Sequence, residues 1–464
     1  MKEKNYTHPY IPNSVPEVKA EMLKQIGVES IEDLYSDIPE SLRYRGKMKI
    51  PEGFASELSL RQHMEKLLSR NKSAREYASF LGGGVADHYV PAICDEINGR
   101  AEFLTAYAGE PYEDHGRFQA LFEYQSLMSE LLDFDVVNVP TYDWSQAAST
   151  AIRMAQRITS RDEILVSELT GPDRLNAFHN YCRSAMKVTL VKHDQETGLI
   201  DLIDLNSKIS DNIAGIYFEN PSYIGIIESQ GQEISDLIHE AGGLSIVGVD
   251  PISLGILKPP SQYGTDVACG DIQSLGNHMH YGGCLGGFIS TRDEEKLVME
   301  YPSRLFGITK TAVEGEWGFD DVAYDRTSFG VREKGKEFVG TANALYGITT
   351  AVYLSLMGPD GLHDLGQHLL QKSLYAKKVL GKVPGLNIRF ESPGFKEIVI
   401  DFSETGKSIR EINTSLLEYE IFGGHDLGIC ASWLENCALY CFTELNSKEQ
   451  IDSLGKSLTE ILSN

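Results

Sequence analysis

The chain has 464 residues, and 42 Lys plus Arg against 67 Asp plus Glu leave a formal charge of −25 and a pI of about 4.9. That acidity excludes the basic face on which nucleic-acid and membrane-surface binding depend. A composition of 42% hydrophobic and 23% charged residues excludes a disordered chain, and the length predicts two or three folding units that need no disulfide or metal to hold them.

The seven cysteines (Cys94, Cys182, Cys269, Cys284, Cys430, Cys437, Cys441) include no CxxC pair and lie in apolar surroundings, so they are expected to be reduced and buried. The first fourteen residues, MKEKNYTHPYIPNS, lack an apolar secretory segment. No apolar run approaches the ~18 residues of a membrane span. A soluble, cytoplasmic protein is the expectation.

Residues 15–75 read as helical and highly charged, with Val15–Ile26, Ile31–Tyr35 and Ser56–Ser69 carrying apolar residues at helical spacing. Pro51 and Gly53 separate the last two. This predicts a helical N-terminal arm, residues 1–75, without a core of its own. Residues 76–340 hold short β-branched runs at Glu163–Ser167, Val188–Lys192, Gly215–Phe218, Leu244–Asp250, Thr265–Ala268 and Gly287–Ser290. Helical patterns at Ser145–Thr159, Pro172–Ser184 and Ile234–Ala241 alternate with them. Strands apolar on both faces and alternating with helices predict a mostly parallel sheet covered on both sides, the core of a large α/β domain. Residues 341–464 show a long amphipathic helix over Gly361–Lys382, strands at Leu386–Phe390, Ile398–Phe402 and Ala438–Thr443, and a last helix at Lys448–Leu462. They predict a small α+β domain.

Ligands of such architectures sit at the carboxyl ends of the parallel strands. Asp250 ends the strand LSIVGVD and could pair there with a cationic ring nitrogen, or simply cap the turn that Pro251 begins. Gln273 and Ser274 follow the next strand, where a pyridoxal phosphate enzyme would need a Schiff-base lysine. No lysine occurs between Lys258 and Lys296. Ser145 reads as the N-cap of a helix whose start could hold a phosphate, but Trp144 stands where close backbone approach calls for glycine. Phe80–Gly84 is a glycine-rich loop without the frame of a dinucleotide fingerprint. His278 and His280 share a face if this stretch is a strand, with no third metal ligand nearby. Tyr107, Tyr112, Glu113, Asp114, His115, Phe122, Glu123 and Tyr124 form an aromatic, acidic stretch that surface and core packing would mostly explain, although polar aromatics on loops also line substrate clefts.

Several strings together resemble subunit 1 of the two-subunit glycine cleavage system P-proteins, the decarboxylating glycine dehydrogenases. They are His8–Asn13 (HPYIPN), Asp33–Pro39 (DLYSDIP), Phe80–Pro91 (FLGGGVADHYVP), Glu102–Tyr107 (EFLTAY), Phe122–Gln125 (FEYQ), Val249–Pro260 (VDPISLGILKPP), Tyr263–Asp266 (YGTD), Gln273–Gly276 (QSLG) and Ala351–Leu362. The chain departs from the family pattern at Trp144, at Ala108–Pro111 and at Lys334–Gly340.

The resemblance implies the pyridoxal-phosphate fold type I, the aspartate aminotransferase-like architecture. It implies no catalytic residue in this chain: Gln273 lies in the place of the Schiff-base lysine, and Asp250 and Ser145 are vestiges of a cofactor site. No cofactor or metal is expected on this chain. Pyridoxal phosphate belongs to a lysine-bearing subunit 2, two copies of each subunit assembling, and the whole enzyme decarboxylates glycine and passes the aminomethyl group to the lipoyl arm of H-protein. His88, Tyr89, Tyr107 and Glu123 are the candidates for walls of a cleft shared between subunits. Two other readings stand beside this one: a non-catalytic scaffold subunit, and a self-sufficient pyridoxal enzyme using Lys258, Lys310 or Lys334.

Overall fold

The computed structural model describes residues 10–11, 15–46, 49–104, 111–322, 336 and 343–463, the side chains of 111–116 and 321 excepted. Contacts divide the chain into two units, Met1–Asn71 and Lys72–Asn464. The first is helical: Pro16–Ile26, the 3-10 turns Ile31–Tyr35 and Glu40–Leu42, and Glu57–Leu68. Ser56 caps the last of these by accepting from Ser59 N at 3.2 Å. Arg45 bonds Glu40 and Glu32 at 3.0 and 3.1 Å, holding the turns together. None of the unit's described residues is buried.

The second unit is built on a seven-stranded sheet: β1 (Val136–Val137), β2 (Glu163–Ser167), β3 (Lys187–Val191), β4 (Ile213–Glu219), β5 (Leu244–Val249), β6 (Val267–Asp271) and β7 (Gly287–Thr291), ordered β1-β7-β6-β5-β4-β2-β3. Strands β3, β2, β4, β5 and β6 run parallel, while β7 and β1 join antiparallel at one edge. Every residue of β4 and β5 is buried, as their unbroken apolar runs require of strands covered on both faces. Helices Trp144–Thr159 and Pro172–Cys182 pack against one face. Helices Pro111–Leu132, Gly231–Glu240 and Ala344–Leu380 pack against the other. A smaller antiparallel sheet takes Asn387–Ile388, Glu397–Asp401, Cys437–Cys441 and His425–Asp426, and its core includes Phe80 and the inner face of helix Lys448–Ser463.

The six strands expected in the large domain and the helices between them are all present, within two residues of their expected bounds except that the strand expected at Thr265–Ala268 runs on to Asp271 and the helix expected from Ile234 begins at Gly231. Other details differ. Helix Pro111–Leu132 takes up the described part of the aromatic stretch, in keeping with its packing reading rather than its loop reading; Phe118, Leu121, Tyr124, Met128 and Leu132 recur at three or four residues and are buried in this chain's own core. The long helix begins at Ala344 rather than Gly361 and is interrupted at Gly358, whose φ of 61° and ψ of −179° break the helical period before Pro359. The antiparallel hairpin Phe306–Lys310 with Trp317–Asp321 lies outside the expected strands. His278 and His280 lie on the turn after β6 rather than on a strand; His278 bonds Asp95 at 2.9 Å and His280 stacks on Tyr346 at 4.6 Å. No cluster of three metal-ligating side chains occurs among the described residues. Cys430 is exposed and Cys284 half-buried, against an expectation of buried thiols throughout. No helix among the described residues is long and apolar enough to cross a membrane.

Candidate functional site

Four parallel strands end at one crevice. Glu219 closes β4, Asp250 follows β5, Asp271 closes β6, and the turn after β2 leads into the helix that carries Arg174. From the other side come Gly84–Ala86, Lys396 just before the small-sheet strand, and Glu397, the strand's first residue. The crevice is therefore charged on both sides, and Arg174, Glu219, Asp271 and Lys396 are buried in it. Such an arrangement holds only if each charge finds a partner.

Two ion pairs supply them. Arg174 forks onto Glu219, through a short Nε contact and a second bond of 2.9 Å from Nη2. Its guanidinium also lies over the Trp144 ring at 4.3 Å. The Trp144 indole N–H donates to the Tyr217 hydroxyl at 3.0 Å, and that hydroxyl donates to Glu219 at 3.1 Å. Gly248 makes this packing possible, because a Cβ there would lie 2.5 Å from the Tyr217 hydroxyl and 2.9 Å from the Trp144 ring. The second pair is Lys396 with Asp250 at 2.7 Å. Ser274 Oγ and Ile252 N donate to the other Asp250 oxygen at 3.3 and 3.2 Å.

Lys396 Nζ also lies 3.2 Å from His88 Nε2. An ammonium can only donate, so Nε2 accepts and Nδ1 carries the proton that bonds Glu444 at 2.9 Å. The other oxygen of Glu444 accepts from Tyr89 N at 2.6 Å. Burial raises the Asp250 carboxyl, but the facing ammonium outweighs it and holds Asp250 below its ordinary value. Burial would likewise lower the Lys396 amine, and Asp250 instead keeps it above its usual range. Burial pushes both Asp271 and Glu397 up to about 7.

Asp250, Gln273 and His88 thus come together. Gln273 Oε1 accepts from Ala86 N at 3.4 Å and its Nε2 donates to Asn277 O at 3.1 Å. Tyr89 has an exposed ring, and Glu123 lies on the exposed face of helix Pro111–Leu132, bonded by Gln119 at 2.9 Å. Tyr107 is outside the described residues, as is Lys334–Gly340 apart from Lys336. Ser145 is not the N-cap: Asp143 is, accepting from Gln146 N at 2.8 Å, because its carboxylate reaches the third helical N–H from one residue before Trp144. Lys396, Arg174 and Glu219 escaped the sequence reading. A lysine just before a strand and an arginine in the first turn of a helix carry no local signal of burial, and only the fold shows their partners.

Pyridoxal phosphate does not fit this crevice. The cavity left is about 50 Å³, against roughly 300–1,000 Å³ for small-molecule sites. Gln273 offers an amide, which is not a nucleophile. The buried amine that is present, Lys396, is an ammonium bound to a carboxylate; Lys258 and Lys310 are exposed, and Lys334 is outside the described residues.

Residues 8–456 match the family model of the glycine cleavage system P-protein. A protein of Staphylothermus marinus named "Probable glycine dehydrogenase (decarboxylating) subunit 1" is 38% identical, with 98% of each chain covered. One of the same name from Sulfolobus acidocaldarius is 37% identical over 98% of this chain and 99% of its own. A crystal structure of glycine decarboxylase (P-protein) of the glycine cleavage system, in inhibitor-bound form, superposes with a TM-score of 0.81 at 30% identity, covering 99% of this chain and 100% of that one. The sphingosine-1-phosphate lyase of Burkholderia pseudomallei shares the fold, with a TM-score of 0.64 at 14% identity over 92% and 95% of the two chains. With the pyridoxal-phosphate fold type I around a crevice at the carboxyl ends of its parallel strands, and with relatives matched end to end, this chain belongs to the glycine cleavage system P-protein family.

Proposed function

We propose that this chain is the cofactor-free subunit of a two-subunit glycine decarboxylase. Together with a lysine-bearing second subunit, which holds pyridoxal phosphate, it takes part in decarboxylating glycine, with release of CO₂ and transfer of the aminomethyl group to the lipoyl arm of H-protein. The observation that carries this reading is the crevice, which has Gln273 where the resemblance puts the Schiff-base lysine and which the chain's own ion pairs fill. Within Lys72–Asn464 we take 76–340 as the large domain and 341–464 as the small one. The part played by this chain is structural at the reacting centre: it completes the wall of the partner's cleft. Tyr89 suits that role, since its ring is exposed on a segment that Glu444 holds by the backbone. Tyr107, His88 and Glu123 complete the proposed set.

The test is glycine-dependent CO₂ exchange with lipoylated H-protein, using this chain, the lysine-bearing subunit, and both together. Exchange is expected only with both. Full activity of the lysine-bearing subunit alone would leave this chain a scaffold. Exchange by this chain alone, supplied with pyridoxal phosphate, would make it a self-sufficient enzyme.

A further inference from the structure

Asp250 has a side chain only 15% exposed, and the resemblance gives a carboxylate there the task of facing a ring cation. In this chain a cation already faces it. Lys396 Nζ stands 2.7 Å from one Asp250 oxygen, and the other oxygen is taken by Ser274 and Ile252. The lysine is tied into the small sheet, where its carbonyl accepts from Phe442 N at 2.9 Å. The same ammonium reaches His88, His88 reaches Glu444, and Glu444 takes the N–H of Tyr89. A continuous line of polar contacts therefore runs from the segment after the small-sheet strand Cys437–Cys441, through the loop Gly84–Tyr89, to the carboxyl edge of β5.

We propose that Lys396 is a built-in substitute for the cofactor's ring cation, a clamp that satisfies Asp250 and ties the small sheet to the edge of the large one. The proposal rests on the cofactor-free reading above and extends it: the old cofactor site is put to use as a fastening. Taking the lysine away uncovers a site for a small organic cation. The butylammonium arm leaves a slot with a buried carboxylate at its end, which a primary alkylammonium of similar length would fill.

The experiment uses the full chain. In Lys396→Ala the unfolding temperature falls by several degrees, and propylammonium chloride restores it in a dose-dependent way, while sodium chloride at equal ionic strength does not. Wild type does not respond to propylammonium. In parallel, Lys396→Met, Asp250→Asn and the double variant are unfolded in urea. Each single variant leaves one partner buried without its counter-charge. The double variant is therefore more stable than the two single losses predict, by about tenfold or more in the unfolding constant. Additive losses in that cycle, or a response to propylammonium shared by wild type and Lys396→Ala, would overturn the clamp. Should Lys396→Ala fail to fold, the methionine cycle decides. Neither readout involves glycine decarboxylation, so the clamp and the cofactor-free role can fail independently.

Discussion

Asp271 shows how far a single side chain can be read. It closes β6 inside the crevice and accepts from Gln273 N at 3.1 Å, and burial pushes its carboxyl up to about 7. In the unfolded chain the same group ionises near its ordinary value of 3.8. Below that value both states hold the proton, and no stability is lost. As pH rises to about 7 the unfolded state is favoured, because only it has shed the proton freely, and above 7 the penalty is constant. Asp271→Asn, which mimics the protonated acid and keeps an acceptor for Gln273, is therefore expected to stabilise the chain relative to wild type at pH 8 and to be close to neutral at pH 4. Urea unfolding at the two values checks this; an equal effect at both would remove burial as the cause. Asp250 and Gln273 were legible in the sequence because they follow apolar strands directly. Lys396 and Arg174 were not, because each becomes a site residue only through a partner far along the chain.

Elements were read well where their periods are clean, and misread where a cap or a break decides. The helix beginning at Trp144 shows the first case. Asp143→Ala is expected to cost about 0.5–2 kcal/mol, and Ser145→Ala far less, because the Asp143 carboxylate satisfies the Gln146 N–H. Thermal unfolding of the two variants side by side tests it, and equal losses would return the cap to Ser145. The helix Ala344–Leu380 shows the second. Gly358 occupies a φ of 61° and a ψ of −179°, a region open essentially to glycine alone, although a Cβ there would meet nothing within 4 Å. Gly358→Ala is thus a test of backbone strain without steric clash, with an expected loss of about 1–3 kcal/mol in denaturant unfolding. No loss would mean that the bend relaxes into a continuous helix.

Over the whole molecule, charge and core are unevenly shared. Residues 1–71 contain 11 Lys plus Arg and 11 Asp plus Glu, so the entire net charge of −25 belongs to residues 72–464. None of the described residues in the first unit is buried, and Met22, Ile26, Leu58, Met64 and Leu68 are exposed. A 12-residue helix such as Glu57–Leu68 is marginal in water without packing. Local opening there should cost little, and a protease needs such opening. In the isolated chain, limited trypsin digestion is expected to cut at Arg61, Lys66 and Arg70 before any site in the seven-stranded sheet or the helices packed on it. Mass spectrometry of the early fragments reads the order of cuts; first cleavage within the seven-stranded sheet would contradict it.

What the sequence by itself determined was the architecture and the family: apolar runs of strand length between helical periods specify a parallel sheet covered on both faces, and the matching strings agree with relatives aligned along nearly the whole chain. It also showed the lack of a lysine after β6. What only the tertiary structure decided was the content of the crevice. Lys396 joins Asp250, and Arg174 joins Glu219, across separations that no periodicity spans. Hydrophobic patterning is a local property repeated along the chain, so a sequence displays it. The pairing of buried charges depends on which distant residues the folded sheet brings within 3 Å, and that distance exists only once the chain is folded.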